Sequence, residues 1–167
     1  MTNYKPIHIS FEDKILTPTE LLIKLQQNKT NTKIVFTNGC FDIIHRGHVS
    51  YLAEAKSLGD KLIVALNTDE SVKQLNKGED RPINNLTNRC AVIAALESVD
   101  YVTYFSDNTP LELINLFQPN ILVKGGDWQL EQIIGYNEVK SWGGEVYSIP
   151  FRHQTSTTNI INKINKR

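Results

Sequence analysis

Cysteine is scarce in this sequence: Cys40 and Cys90 are the two present, far apart and in no CxxC pair. That speaks against a disulfide framework and a Cys-based zinc site, and favours a reducing compartment. Long apolar runs are missing too. Nothing approaches the roughly 18 consecutive apolar residues of a membrane span, and residues 1–10 carry no signal-peptide run. Excess charge of either sign is also lacking, since 18 Lys and Arg balance 18 Asp and Glu. A nucleic-acid binder working by bulk electrostatics is therefore not expected, although a small local anion site is allowed. No repeat or low-complexity tract is visible. These absences predict a soluble, cytoplasmic protein.

What is present is ordinary for a globular chain: 167 residues, 40% hydrophobic and 22% charged. The length fits one domain, 1–167, with one core. Residues 1–14 read as an N-terminal arm. Thr17-Pro18-Thr19-Glu20 then opens a helix with a capping box and a proline in the first turn. Lys33–Thr37 reads as a buried strand ending in the turn signal Asn38-Gly39. A helix from about Gly47 spaces Val49, Leu52, Ala55 and Leu58 on one side and stops at Gly59. Lys61–Leu66 is a continuous apolar run of the kind found in interior parallel strands.

The alternation continues. Arg89–Leu96 reads as a helix with Ala91, Val92, Ala95 and Leu96 inward, and Tyr101–Phe105 as a strand. Thr109-Pro110-Leu111-Glu112 repeats the capping pattern before a helix to about Phe117. Asn120–Val123 is a strand, Glu131–Ser141 a helix, Glu145–Ile149 a strand. Ser156–Asn165 is a last helix with Ile160, Ile161 and Ile164 inward. Strands separated by helices imply an α/β protein with an open, parallel, Rossmann-like sheet of five strands. Ligands of such sheets bind beyond the carboxyl ends of the strands. The loops at Asn38, Asn67, Lys124 and Pro150 are therefore where function is expected.

The first of these loops carries His45-Arg46-Gly47-His48. A helix start offers free N–H groups and partial positive charge to an anion. Residues three apart share a helical face, so both imidazoles can address one phosphate. Gly47 is expected to let a ligand approach the backbone. Structural histidines or a metal site are the alternatives, but no Cys or carboxylate completes a ligand set. Thr155-Ser156-Thr157-Thr158 offers a second helix start rich in hydroxyls, which reads either as a phosphate site or as a plain N-cap.

HxGH together with this STT segment resembles the nucleotidyltransferase superfamily of cytidylyltransferases and adenylyltransferases. Longer blocks are similar to bacterial heptose 1-phosphate adenylyltransferases: TNGCFDIIHRGHVSYLAEAKSLGDKLIVALNTDESVK, RPINNLTNRCAVIAALESVDYV, TPLELI, ILVKGGDW and GGEV. The likeness covers residues 15–166. In that family the activity often forms the C-terminal half of a protein whose N-terminal half is a sugar kinase, so this chain is expected to be a stand-alone form.

The resemblance implies a reaction between ATP and a sugar 1-phosphate that releases pyrophosphate, with Mg²⁺ bridging phosphate oxygens and no protein metal ligand named. It also implies a homodimer or larger homo-oligomer, and neither nucleic acid nor membrane as partner. Residue by residue, it implies that Asn38, Gly39, Phe41, Asp42 and Gly47 shape the nucleotide phosphate site. His45, His48 and Lys124 become catalytic. Arg89 would reach a phosphate. Gly126 and Asp127 would lie near the nucleoside, with Ser156 and Thr157 at the triphosphate end. Asn67 and Asp69, with Lys124, would line the substrate pocket.

Other readings compete at several positions. Asp69 could cap a helix, and Arg89 could be a solvated helix residue. Arg81 could contact a phosphate or sit in a surface loop, and Trp128 could stack or pack. Cys40 and Trp142 read as packing residues. The family usually has an acidic, glycine-containing run before the STT helix. This chain has Phe151-Arg152-His153-Gln154-Thr155, which brings Arg152 and His153 beside the expected triphosphate site. A glycerol-3-phosphate cytidylyltransferase and a catalytically silent nucleotide-binding module are the competing functions.

Overall fold

The computed structural model describes residues 10–27, 32–75, 80–153 and 155–166. Its strands are β1 (Ile34–Gly39), β2 (Lys61–Asn67), β3 (Tyr101–Phe105), β4 (Ile121–Gly125) and β5 (Glu145–Ile149). They form one sheet in the order β3-β2-β1-β4-β5, with every pairing parallel. The α-helices are α1 (Pro18–Gln27), α2 (Arg46–Lys56), α3 (Asp69–Gln74), α4 (Leu86–Ala94), α5 (Leu111–Phe117), α6 (Tyr136–Ser141) and α7 (Thr157–Asn165).

Helices cover both faces of the sheet, so the central strands are apolar on both sides. Leu62, Ile63, Val64, Ala65 and Leu66 are all fully buried. Successive side chains point to opposite faces. Leu62, Val64 and Leu66 join Val35, Val102 and Val123 beneath α2 and α4. Ile63 and Ala65 join Phe36, Phe105 and Leu122 beneath α1, α5 and α6. Each large apolar side chain buried this way contributes about 1.5–3 kcal/mol.

The two faces are also two directions of winding. Through α2 and α4 the chain moves from β1 to β2 to β3, and through α5 and α6 it moves from β3 across to β4 and β5. The winding therefore reverses beside the β1–β4 pair, and a crevice opens there above the strand ends.

Several local expectations hold. At α1, Thr17 N donates to Glu20 Oε2 (2.8 Å) and Glu20 N donates to Thr17 Oγ1 (3.3 Å), a reciprocal capping box. Trp142 packs against the α5–α6 side of the core and donates to Pro119 O at 3.1 Å. Of the expected arm, residues 1–9 lie outside the described residues. Ser10–Lys14 form a 3-10 turn whose Phe11 packs on the core, and Lys14 Nζ donates to Val99 O at 2.8 Å.

Other expectations are corrected. Asn38 and Gly39 are not a turn but the last residues of β1, paired with Ala65 and Leu66. The helix read over Glu131–Ser141 is broken: a 3-10 turn covers Leu130–Gln132, Ile133 is extended and buried, and Gly135 has φ +92° before α6 begins. A Cβ at Gly135 would meet Ile114 Cδ1 at 2.7 Å, so the close approach of α5 sets the break. At α5 the N-cap is Pro110 with no side-chain cap, so Thr109 closes no capping box. The buried side of α4 is Arg89, Cys90, Ile93 and Ala94, while Val92 is 48% exposed. The expected side, Ala91, Val92, Ala95 and Leu96, is thus mostly the outer one: Ala95 is also exposed, and the face that packs on the sheet includes a buried cation that apolar periodicity does not register. In α7, Ile160 and Ile161 are half-buried, and Ile164 points outward.

Gly59 ends the turn from α2 into β2, where a Cβ would lie 2.7 Å from both Lys33 O and Val35 Cγ2. Gly59→Ala is expected to cost about 1–3 kcal/mol through overpacking. Urea denaturation measures it, and an unchanged midpoint would mean that the turn can yield.

Candidate active site

β1 ends at the crevice and its loop turns sharply. Phe41 has φ +47°, and a Cβ on Gly39 would strike the Phe41 ring at 2.9 Å. Glycine at 39 therefore lets the aromatic ring fold back over the strand end. His45 is the N-cap of α2 in extended conformation, with its carbonyl accepting from His48 N at 2.9 Å. The two imidazoles stack with ring centroids 3.8 Å apart, and Phe41 meets His48 edge-on at 5.3 Å. The space above Gly47 is filled by the His45 ring, which would lie 3.0 Å from a Cβ there. The expected role of Gly47 is thus corrected: it is small to seat an imidazole against the backbone, not to admit the ligand itself.

Burial leaves Nδ1 of both rings without a hydrogen bond of normal geometry among the described residues. The same burial lowers the His45 pKa and, with the neighbouring His45 adding to it and the Ile43 backbone opposing, lowers that of His48 to about 4. His48 is therefore neutral at physiological pH, and a neutral imidazole still donates one N–H. With Nδ1 shut away, Nε2 is the nitrogen that can meet a ligand.

Tyr51 pins α2 over the crevice. Its hydroxyl lies 2.6 Å from Thr37 Oγ1 of β1 and 3.3 Å from Val123 O of β4, and burial raises its pKa. Across the crevice Lys124 Nζ donates to Asn38 Oδ1 at 3.3 Å. From the other side comes the start of α7. Ser156 Oγ accepts from Asn159 N at 3.1 Å, and Thr157 Oγ1 donates to Ile43 O at 3.3 Å, which ties this helix start to the histidine loop.

Two cavities meet here. One, of about 380 Å³, is lined by His48, Tyr51, Arg81, Phe151, Thr157 and Thr158 among others. The second, of about 400 Å³, is lined by Asn67, Asn108, Trp128, Gln132 and Ile134 among others. Asn38, Gly39, Cys40 and Lys124 line both and form the ridge between them.

The structure brings together Asn38, Gly39, Phe41, Asp42, His48, Lys124 and Thr157 at the first cavity, and Asn67 at the second. Several expected ligands are spent on the protein instead. The Asp42 carboxylate is fully buried, accepting from Arg81 Nε, Ile83 N (3.0 Å) and Asn84 N (2.8 Å). Arg89 does not reach a phosphate. Its buried guanidinium donates to Asn84 O (3.0 Å), Cys40 O (2.8 Å) and Asp69 Oδ1 (2.7 Å). Asp69 is thereby withdrawn from the substrate pocket, and Thr68, not Asp69, caps α3. Ser156 serves as N-cap, while its neighbours Thr157 and Thr158 face the cavity.

Gly126 has φ +114° and donates to Ile149 O at 2.9 Å, and Asp127 is exposed; neither lines these two cavities. Arg152 pairs with Glu54 at 3.0 Å and lines neither of these cavities, and Gln154 lies outside the described residues. Sequence reasoning missed Tyr51 and Phe151, whose rings meet at 5.9 Å, and Thr158. An aromatic inside a helix carries no signal of its own. Trp128 lines the second cavity, half-exposed, with Nε1 donating to Gly125 O at 3.1 Å.

Comparison with known proteins agrees with this geometry. A cytidylyltransferase-like family matches residues 36–163. A D-beta-D-heptose 1-phosphate adenylyltransferase of Bordetella bronchiseptica is 49% identical, covering 92% of this chain and 95% of that protein. The bifunctional protein HldE of a Marinomonas species is 52% identical over 90% of this chain, which spans 32% of its length. Among solved structures, a lipopolysaccharide core biosynthesis protein from Thermoplasma volcanium superposes with TM-score 0.62 at 26% identity, covering 75% of this chain and all of that one. Among the described residues no helix is long and apolar enough to cross a membrane.

Because the folded His48 pKa, about 4, lies below the ordinary histidine value, the unfolded chain takes up the proton first as pH falls. The stability tied to neutral His48 is complete above about pH 6.5 and drains away as pH drops through the folded value. His48→Gln has no such proton to take up. Urea denaturation at neutral pH and at about pH 4 should show the variant losing less stability than the wild type; equal losses would refute a buried neutral His48.

Proposed function

Since the chain belongs to the cytidylyltransferase-like family, we propose that it is an adenylyltransferase. It joins ATP to D-glycero-β-D-manno-heptose 1-phosphate, forming ADP-heptose and pyrophosphate for the heptose of lipopolysaccharide core. The observation that carries this reading is the shared ridge. Asn38 and Lys124, from the two strands beside the winding reversal, line both cavities, so a group bound in one can react with a group bound in the other.

The first cavity suits a triphosphate. It combines His48, Arg81, Lys124 and the start of α7. The second suits a hydroxyl-rich sugar, offering the amides of Asn67, Asn108 and Gln132 beside the Trp128 ring. A phosphate oxygen of the sugar attacks the α-phosphorus, and on the opposite side the bond from that phosphorus to the oxygen it shares with the β-phosphorus breaks, releasing pyrophosphate. That attacking oxygen is already ionised, so the protein needs no general base. Catalysis is then positioning and charge stabilisation. His48, with His45 stacked against it, donates to the α-phosphate, and Lys124 neutralises charge where the reactants meet.

Mg²⁺ enters as part of the nucleotide substrate. Among the described residues no group of three His, Cys, Asp or Glu side chains is placed to hold an ion, so phosphate oxygens would be its ligands. The same reading includes a homodimer and a cytoplasmic location where ATP is supplied; the dimer rests on the family alone.

Pyrophosphate release tests the proposal with ATP against CTP and heptose 1-phosphate against glycerol 3-phosphate. The ATP and heptose 1-phosphate pair should turn over fastest. Preference for CTP with glycerol 3-phosphate would sink the reading, as would nucleotide binding without release from any pair. His48→Ala should keep the fold and lose about 10²–10³ in kcat; near-native turnover would remove His48 from the mechanism.

A further inference from the structure

The first cavity contains one charge that the fold leaves half used. Arg81 sits in the loop between α3 and α4, with its side chain 9% exposed. Its Nε donates to the buried Asp42 carboxylate, which also accepts from the amides of Ile83 and Asn84. Asp42 therefore holds the guanidinium by one edge, and the two amides share its negative charge. Among the described residues Nη1 and Nη2 of Arg81 make no hydrogen bond or ion pair. Neither atom is sealed from solvent, and Arg81 lines the cavity together with His48, Lys124, Thr157 and Thr158.

Arg89 provides the internal contrast. It lies in α4, just beyond that loop, is fully buried, and has Nε, Nη1 and Nη2 each bonded to protein. One arginine is fully spent on holding the loops. The other lines the cavity with its terminal nitrogens unbonded among the described residues. A planar guanidinium whose terminal nitrogens are vacant matches two oxygens of a phosphate, and burial strengthens such charge-assisted bonds.

We propose that Arg81 is a catalytic residue: a fork, aimed by Asp42, that binds the terminal phosphates of the nucleotide and holds the departing pyrophosphate. The proposal rests on the adenylyltransferase reading above and adds a leaving-group ligand to it. As the sugar phosphate oxygen bonds to the α-phosphorus, the electron pair of the breaking bond passes to the α–β bridging oxygen, which leaves as a terminal oxygen of pyrophosphate. The charge that develops there lies within reach of a fixed cation and requires no proton transfer. Asp42 becomes a positioning residue that acts through Arg81.

The test is calorimetric binding of inorganic pyrophosphate and of AMP to the full chain, wild type against Arg81→Gln, with steady-state kinetics alongside. Arg81→Gln should weaken pyrophosphate about 10- to 100-fold, the scale of hydrogen bonds to charged groups. AMP affinity and the KM for the sugar phosphate should stay within about twofold while kcat falls. Unchanged pyrophosphate affinity would overturn the proposal, as would equal weakening of both ligands, the mark of a residue that merely holds the loop. If the Gln variant does not fold, Arg81→Lys keeps a cation beside Asp42 but has one nitrogen to serve both partners. It should then lose pyrophosphate affinity several-fold, and wild-type affinity in it would refute the fork. Failure of the wild type itself to bind pyrophosphate would instead refute the pyrophosphate-releasing reading.

Discussion

The chain leaves β1 toward one edge of the sheet and β4 toward the other, and no connection can then cover the ends of these two neighbouring strands. The two cavities of the candidate site open at that gap. α2 begins beside it because the β1 loop turns back at Phe41, and Tyr51 fastens α2 to Thr37 of one strand and Val123 of the other. α7, arriving after β5, docks its first turn on the carbonyl of Ile43. Two helix starts with partial positive charge thus face one cavity. The geometry is a consequence of how a parallel sheet is wound, and the side chains only exploit it.

Charge in this region is managed by pairing rather than exposure. A buried carboxylate or guanidinium is costly unless it is hydrogen-bonded. Asp42 meets that requirement through Arg81 and two amides, and Arg89 meets it through Asp69 and two carbonyls. These networks join the β1 loop, the start of α3 and the start of α4 into one rigid wall. The histidines follow the opposite rule: burial disfavours their charged forms, which under the proposed reaction would make them donors and not counter-charges. A wall of paired charges with neutral donors on it can receive a polyanion without first rearranging, which is the condition for stabilising charge that shifts during a reaction.

Much of this was legible in residue order because local physics dictates it. Continuous apolar runs such as Leu62–Leu66 belong to strands covered on both faces. Thr17 and Glu20 cap each other within one turn. The spacing of His45 and His48 at a helix start suggests one shared side, and the rings do stack there. Alternating strands and helices imply a parallel sheet, and such a sheet places its ligands beyond the strand ends. Fold class, the histidine pair, Lys124 and the helix start at Thr157 follow from rules that reach no further than a few residues.

What escaped that reading was decided by neighbours distant in the chain. Arg89 and Asp69 look like ligand residues until folding brings them 2.7 Å apart and pairs them with each other. Asp42 and Arg81, 39 positions apart, meet only when the β1 loop and the loop after α3 pack together. The break at Gly135 depends on the approach of Ile114. Periodicity tells which residues share a face. Which polar groups are consumed by the protein, and which stay available to a ligand, depends on the partners that packing brings within hydrogen-bond reach, because a buried charge takes whatever complement lies nearest.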